Sequence, residues 1–150
     1  MKKLIFLFLP VVLLFSACES QEEADDQIIL DYLETNNLTA ERTEEGIYYI
    51  IENQGTGDNP VLNDQVKVHY EGYLLDGTIF DSSIQRGTPA EFPLLGVIQG
   101  WQIGIPLFKE GGSGTLLIPS SYAYGSNPPF NSGIPRNAVL AFDVELIEIL

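Results

Sequence analysis

The chain has 150 residues, 45% of them hydrophobic, and sets 21 acidic against 7 basic side chains, a formal charge of −14. That length suits one domain around a single core, and the apolar share is that of a folded chain. So acidic a balance argues against a nucleic-acid partner, and a lone cysteine and a lone histidine leave no internal disulfide, no Cys/His metal set and no Ser-His-Asp or Cys-His catalytic unit.

Residues 1–17 have the organisation of a targeting segment: Lys2 and Lys3, an apolar run from Leu4 to Phe15 interrupted by Pro10, then the small residues Ser16 and Ala17. The run is short for a bilayer span and has the flanks of a secretory signal. Phe15-Ser16-Ala17-Cys18 resembles a bacterial lipoprotein signal, which implies cleavage before Cys18 and lipid on its thiol and new amino terminus. The bland alternative is a free structural cysteine. Cleavage would remove two of the basic residues and leave a net charge of −16. Residues 18–26 then form a lipidated cysteine and an acidic tether, ESQEEADD over 19–26, with no large apolar side chain. An acidic run in that place also resembles a surface-export signal of some bacterial lipoproteins.

From Asp26 to Asn37 the pattern turns helical. Ile29 and Leu33 are four apart with Leu30 beside them, Asp25 and Asp26 suit the positive end of a helix, and Asn36-Asn37 is a stop. Residues 27–45 therefore read as a short helical extension that packs on the domain, since so short a helix is marginal alone. A β-rich stretch, Ile47 to Glu52, follows Glu45-Gly46. In VKVHYEGYLLDGTIFDSS (66–83), Val66, Val68 and Tyr70 alternate with Lys67, His69 and Glu71, a half-buried strand. Asp76-Gly77 signals a hairpin turn that returns Phe80 and Asp81 beside Tyr70. Residues 89–95 read as an edge strand, because Pro93 cannot donate to a central ladder. Ile98, Trp101, Ile105 and Phe108 share one face of a short helix, with Gly100 and Gly104 allowing close approach to the sheet and Pro106 ending it. Strands are expected over 115–119 and 138–150, and the loop 120–137 carries Tyr122, Tyr124, Phe130 and Ile134, aromatics placed where binding surfaces tend to lie. The total is an α+β domain, an antiparallel sheet with one short helix packed on it.

The chemistry on offer is one carboxylate–arginine pair, Asp81 and Arg86, among many rings. No second acid stands in a comparable setting, as glycoside hydrolysis would need. An aromatic pocket with few polar groups suits an apolar ring and a reaction that breaks no covalent bond.

Four motifs in order, VHYEGYLLDGTIFDSS, VIQGW, YAYG and FDVEL, resemble the FKBP-type peptidyl-prolyl cis-trans isomerases over residues 46–150. The resemblance implies an antiparallel β-sheet wrapped around one short α-helix. It implies a pocket of Tyr70, Phe80, Asp81, Arg86, Val97, Ile98, Trp101, Ala123, Tyr124, Ile134 and Phe142, with no cofactor and no metal. Trp101 would floor the slot under the prolyl ring, with plain core packing as its bland alternative. The Ile98 N–H and the Tyr124 hydroxyl would donate to the peptide carbonyls flanking the proline, although a loop tyrosine can also tie down its own backbone. Asp81 would act on the twisting amide electrostatically or brace Tyr70 and Arg86. Three departures stand out: Ala90 where relatives commonly have an aromatic, a shorter segment between Phe92 and Val97, and a different loop over 126–132 with Phe130 in it.

The implied partners are proline-containing polypeptides, a membrane reached through lipid on Cys18, and macrolide inhibitors. The implied place is the bacterial cell envelope, the periplasmic face or the cell surface. The short extension offers no long dimerisation arm, so a monomer is expected. The rival is a lipoprotein that holds proline segments, as binding module or chaperone, without turnover.

Overall fold

The computed structural model describes residues 20–150. The leader and Cys18 lie outside these residues. The first element is a helix, α1 (Gln21–Thr35). It begins five residues before the point expected from the apolar periodicity, so residues 21–26 are helical rather than a tether. The physical reason is a capping box: the Ser20 hydroxyl accepts from the Glu23 N–H at 3.2 Å, and the Glu23 carboxylate accepts from the Ser20 N–H at 3.0 Å. Glu22 and Glu23 also favour the positive end of the helix. The helix stops at Asn36, and Asn37 takes a left-handed φ of 53°.

The strands are β1 (Glu41–Arg42), β2 (Tyr48–Asn53), β3 (Gln65–Leu74), β4 (Ile79–Ser82), β5 (Ala90–Pro93), β6 (Ser113–Ile118) and β7 (Leu140–Ile149). They form one antiparallel sheet in the order β1-β2-β6-β7-β3-β4. Strand β5 continues the same edge: Val66 and Val68 of β3 face Phe92 and Ala90, while Glu71 and Gly72 face Ser82 and Asp81. The edge is therefore split, and the intervening one-turn helix α2 (Ser83–Arg86) follows β4 at the gap, with Ser83 buried against β3. The proline of β5 sits on an edge, where a missing N–H costs no ladder bond.

One face of the sheet packs against α3 (Gln99–Gly104) and the 3-10 turn that follows it over Ile105–Leu107. Trp101, Ile105 and Phe108 meet Val66, Val68, Leu116, Ile118, Leu140, Phe142, Val144 and Leu146 there. The approach is close: a Cβ on Gly100 would lie 2.4 Å from Ile118, and one on Gly104 2.6 Å from Leu116. The opposite face carries α1, whose Ile29 and Leu33 pack on Tyr48, Leu117, Val139 and Ala141. Tyr48, Leu117 and Ala141 stand opposite one another on three neighbouring strands, which makes them a single apolar row under the helix. Covering both faces explains why Leu116, Leu117 and Ile118 are all buried instead of alternating.

Candidate active site

The side chains gathered on the open side of α3 follow from the β3–β4 hairpin. Gly77 donates to the Leu74 carbonyl at 2.8 Å, Leu74 donates to the Thr78 carbonyl at 2.9 Å, and the Asp76 carboxylate accepts from the Thr78 N–H at 2.9 Å. Beyond the turn the register slips. Gly72 faces Asp81 but Tyr73 faces Ile79, so Phe80 is an extra residue on β4. In a regular strand Phe80 and Asp81 would point to opposite faces; the bulge turns both toward the same cavity.

The two serines that follow lock this arrangement. The Ser83 hydroxyl accepts from the Tyr70 N–H at 2.7 Å and donates to the Tyr70 carbonyl at 3.1 Å. His69 Nδ1 is also 3.0 Å from that hydroxyl, which places the imidazole on the far side of the strand from the cavity. The Ser82 hydroxyl donates to Glu71 at 3.0 Å and caps α2 by accepting from the Gln85 N–H at 3.1 Å.

The cavity has a volume of about 500 Å³ and is lined by Tyr70, Phe80, Asp81, Phe92, Gly96, Val97, Ile98, Trp101, Tyr124, Pro129, Ser132, Ile134 and Phe142. Trp101 is its floor and is only 4% exposed. Three rings contact it, Tyr70 at 5.1 Å, Phe142 at 5.2 Å and Phe92 at 5.2 Å between centroids, the first two edge-to-face. Phe80 leans edge-on against Phe142 at 5.6 Å. Such edge-to-face pairs contribute about 0.5–1.5 kcal/mol each beyond the area they bury.

The polar groups divide into two sets. The first is closed on itself. Tyr70 donates its phenol proton to Asp81, Arg86 Nη1 donates to the same carboxylate, and Arg86 Nη2 reaches the Tyr70 oxygen at 3.0 Å with the guanidinium 5.6 Å from the ring centre. Partial burial pushes the Asp81 carboxyl up, but the hydrogen bonds from Tyr70 and Arg86 and the guanidinium charge outweigh it and hold the group below the usual carboxylate range. Burial first, and then the bond to Asp81, push the Tyr70 phenol up. The second set is open. Ile98, which precedes α3, gives its carbonyl to the Trp101 and Gln102 N–H groups, while its own N–H has no partner among the described residues. The Tyr124 hydroxyl is likewise unpaired among them, and burial, then the nearby Asp81 charge, push its phenol up so that it stays a donor. With the buried Trp101 Nε1, which also has no partner among the described residues, three donors at this apolar slot are unpaired.

Nine of the eleven residues expected at the pocket line this cavity. Arg86 does not; it stands behind Tyr70 and Asp81 as their clamp. Ala123 does not line it either, and lies packed against the core beside Tyr124. Phe92, Gly96, Pro129 and Ser132 were not foreseen. Phe92 had a signal, because it shares a face with Ala90 and alternates with the exposed Glu91 and Pro93 on a strand whose inward side must meet Trp101; its ring supplies a wall where Ala90 leaves one short. Pro129 and Ser132 lie in an irregular loop without periodicity. Phe130, between them, is 93% exposed and faces away. No group of three or more His, Cys, Asp or Glu among the described residues could hold a metal.

The model of the FKBP-type peptidyl-prolyl cis-trans isomerase domain matches residues 57–147. The FKBP-type isomerase FkpA of Aeromonas hydrophila is 45% identical over 135 residues, which cover 89% of this chain and 48% of that protein. The FKBP-type 22 kDa isomerase of Escherichia coli is 46% identical over 121 residues, covering 79% of this chain and 58% of its own length. This chain thus spans about half the length of these relatives. The crystal structure of FkpA from Escherichia coli superposes with a TM-score of 0.74 at 39% identity, covering 84% of this chain and 60% of that one. The chain belongs to the FKBP-type peptidyl-prolyl cis-trans isomerase family.

Proposed function

We propose that the chain catalyses cis-trans isomerisation of X-Pro peptide bonds in exported polypeptides. The observation that carries this is the pairing of an aromatic slot, closed below by Trp101, with two unengaged donors at its rim, Ile98 N–H and Tyr124 O–H. Amide resonance opposes rotation with a barrier of ~18–20 kcal/mol. Before proline the isomers are close in energy, yet exchange only over tens to hundreds of seconds. A catalyst has to favour the twisted amide, and an acceleration of about 10⁶ needs roughly 8 kcal/mol of differential stabilisation.

The slot supplies this in three ways. Its rings take the prolyl side chain out of water and fix it, so that rotation occurs about one bond with the rest of the peptide held. The two donors hold flanking carbonyls in the geometry the twisted amide needs, and cost no reorganisation because they are already oriented. The Asp81 carboxylate, kept ionised by Tyr70 and Arg86, sets a fixed local field and braces the Tyr70 wall. No proton changes hands, which fits a site whose only imidazole lies behind the strand.

The deciding experiment follows isomerisation of a short X-Pro peptide with the wild type, Phe80→Ala and Tyr124→Ala. A wild-type rate above buffer that falls in both variants supports the enzyme. A wild-type rate equal to buffer would leave a module or chaperone that holds proline segments without turnover.

The same reading places the domain at a membrane of the bacterial envelope, as a monomer tethered by lipid on Cys18. Its support is the leader pattern ending at that cysteine. Loss of radiolabelled fatty-acid incorporation in Cys18→Ala tests the anchor, and protease shaving of intact cells tests surface exposure. A macrolide would occupy the same slot and compete with the peptide.

A further inference from the structure

Asp25 of α1 is fully buried although it is acidic and belongs to the most acidic stretch of the chain. Its Oδ2 accepts from the backbone N–H of Ser120 at 2.7 Å and from the Ser120 hydroxyl at 2.6 Å, and its Oδ1 accepts from Gln21 Nε2 at 2.7 Å. No cation lies within salt-bridge distance of it among the described residues. Taking a carboxylate out of water without a counter-charge is costly, and only a full set of donors makes it tolerable. Here two of the three donors come from one residue, 95 positions further along the chain.

That residue is the hub of the loop that presents Tyr124. The Ser120 carbonyl accepts from the Ala123 N–H at 3.1 Å and from the Gly125 N–H at 2.8 Å, which closes the turn on both sides of Tyr124. The Gly125 carbonyl in turn accepts from the Asn137 N–H at 2.7 Å. Ser120 is thus held by α1 through its N–H and hydroxyl and holds the turn through its carbonyl. Without Asp25 the N–H and the hydroxyl of Ser120 would be buried and unpaired, and the turn would relax to satisfy them.

We propose that Asp25 is a positioning residue for Tyr124. Acting through Ser120, it fixes the height of the Tyr124 hydroxyl over the slot, so the helix N-terminal to the sheet is part of the catalytic apparatus rather than a spacer. The proposal rests on the isomerase reading of the slot.

The test is a double-mutant cycle on the full chain, with kcat/KM for an X-Pro peptide as the activity readout. Asp25→Ala should lower kcat/KM by about tenfold or more, the scale of an ångström-sized displacement of a catalytic group. In a Tyr124→Phe background the same change should cost less than about threefold, because the group it positions is already gone. Asp25→Asn keeps an acceptor oxygen for Ser120 and should restore most of the rate. Amide exchange is the second readout: Ala123 and Gly125 should exchange about tenfold faster in Asp25→Ala while β3 and β7 amides keep their protection. An Asp25→Ala loss of equal size in both backgrounds, or unchanged protection of the loop amides, would overturn the proposal. If Asp25→Ala does not fold, Ser120→Ala, which removes one of the two donors, enters the same cycle with the same criteria. A wild type that fails to isomerise the peptide defeats the isomerase reading instead, and loop exchange in Asp25→Ala still decides whether α1 orders the Tyr124 turn.

Discussion

Gly72 lies on β3 directly behind the slot, and replacing it by alanine is a one-atom probe of the aromatic wall. A Cβ built there would stand 2.7 Å from Cε2 and Cζ of Phe80 and 2.8 Å from Cε1 of Phe142. Carbon contacts settle near 3.5–4.0 Å, so a ring has to retreat by about 1 Å. Phe142 is 4% exposed and is wedged between Trp101 and Phe80, whereas Phe80 is half-buried and borders open cavity. Phe80 can therefore retreat into the cavity, and Phe142 relieves its own 2.8 Å contact only by shifting toward the space that Phe80 leaves. Overpacking typically costs ~1–3 kcal/mol, and with an escape route the loss of folding stability should sit near the low end, about 1 kcal/mol. Activity should suffer more, because an ångström of displacement at a reacting geometry can cost up to ~10²-fold. The assay pairs urea unfolding with kcat/KM on an X-Pro peptide. Gly72→Ala should lose at least about tenfold in kcat/KM with little change in midpoint, and most of its stability cost should vanish in a Phe80→Ala background. Wild-type activity in Gly72→Ala would refute the claim that the Phe80 ring stands over this strand as a wall.

Other outcomes follow from the same geometry. Asp81→Ala should lower turnover, whereas Arg86→Ala, which removes a clamp outside the cavity, should act mainly through order of the Tyr70 wall and recover in part with Arg86→Lys; equal, large stability losses in both would contradict an electrostatic part for Asp81. The stability that Asp81 contributes is present above the usual carboxylate range and is lost only as pH falls from that range through its depressed folded value, while Tyr70 and Tyr124, with raised values, stay protonated past the usual phenol range. Peptide isomerisation should accordingly be flat from about pH 5 to about pH 9, and a bell centred near neutrality would indicate proton transfer. Ile98→Pro removes the unpaired N–H at a position whose φ of −57° suits proline, after a residue with ψ of 175°. It should fold normally and lose activity, measured by circular dichroism and the same peptide assay.

The parts of the fold set by local pattern were legible. Alternation along Val66, Val68 and Tyr70, an Asp-Gly turn, and the Trp101–Ile105–Phe108 face specify a half-buried hairpin and a helix lying on it. What pattern does not encode is register. The Asp76-Gly77 turn returns Phe80 and Asp81 beside Tyr70, but the bulge that brings both side chains to one cavity has no composition signal. The start of α1 was written in Ser20-x-x-Glu23, but five acids in eight residues argue for solvent by composition, and capping chemistry outweighed it. The burial of Asp25 was beyond reach for a related reason. An acid is exposed by default, and its partner, Ser120, is distant in the chain. Phe92 shows the opposite case, a wall residue whose place on the inward face of β5 is legible in the alternation of Ala90 and Phe92 with Glu91 and Pro93.

The central claim is that this slot turns over X-Pro bonds rather than merely holding them. Two-dimensional exchange NMR on a large excess of an X-Pro peptide tests it most directly, since uncatalysed exchange takes tens of seconds or longer. With substoichiometric protein, cis–trans cross peaks should appear within a fraction of a second of mixing time and disappear in Phe80→Ala. Peptide resonances that shift or broaden with added protein, without cross peaks between the isomers, would contradict the account and identify a binding module.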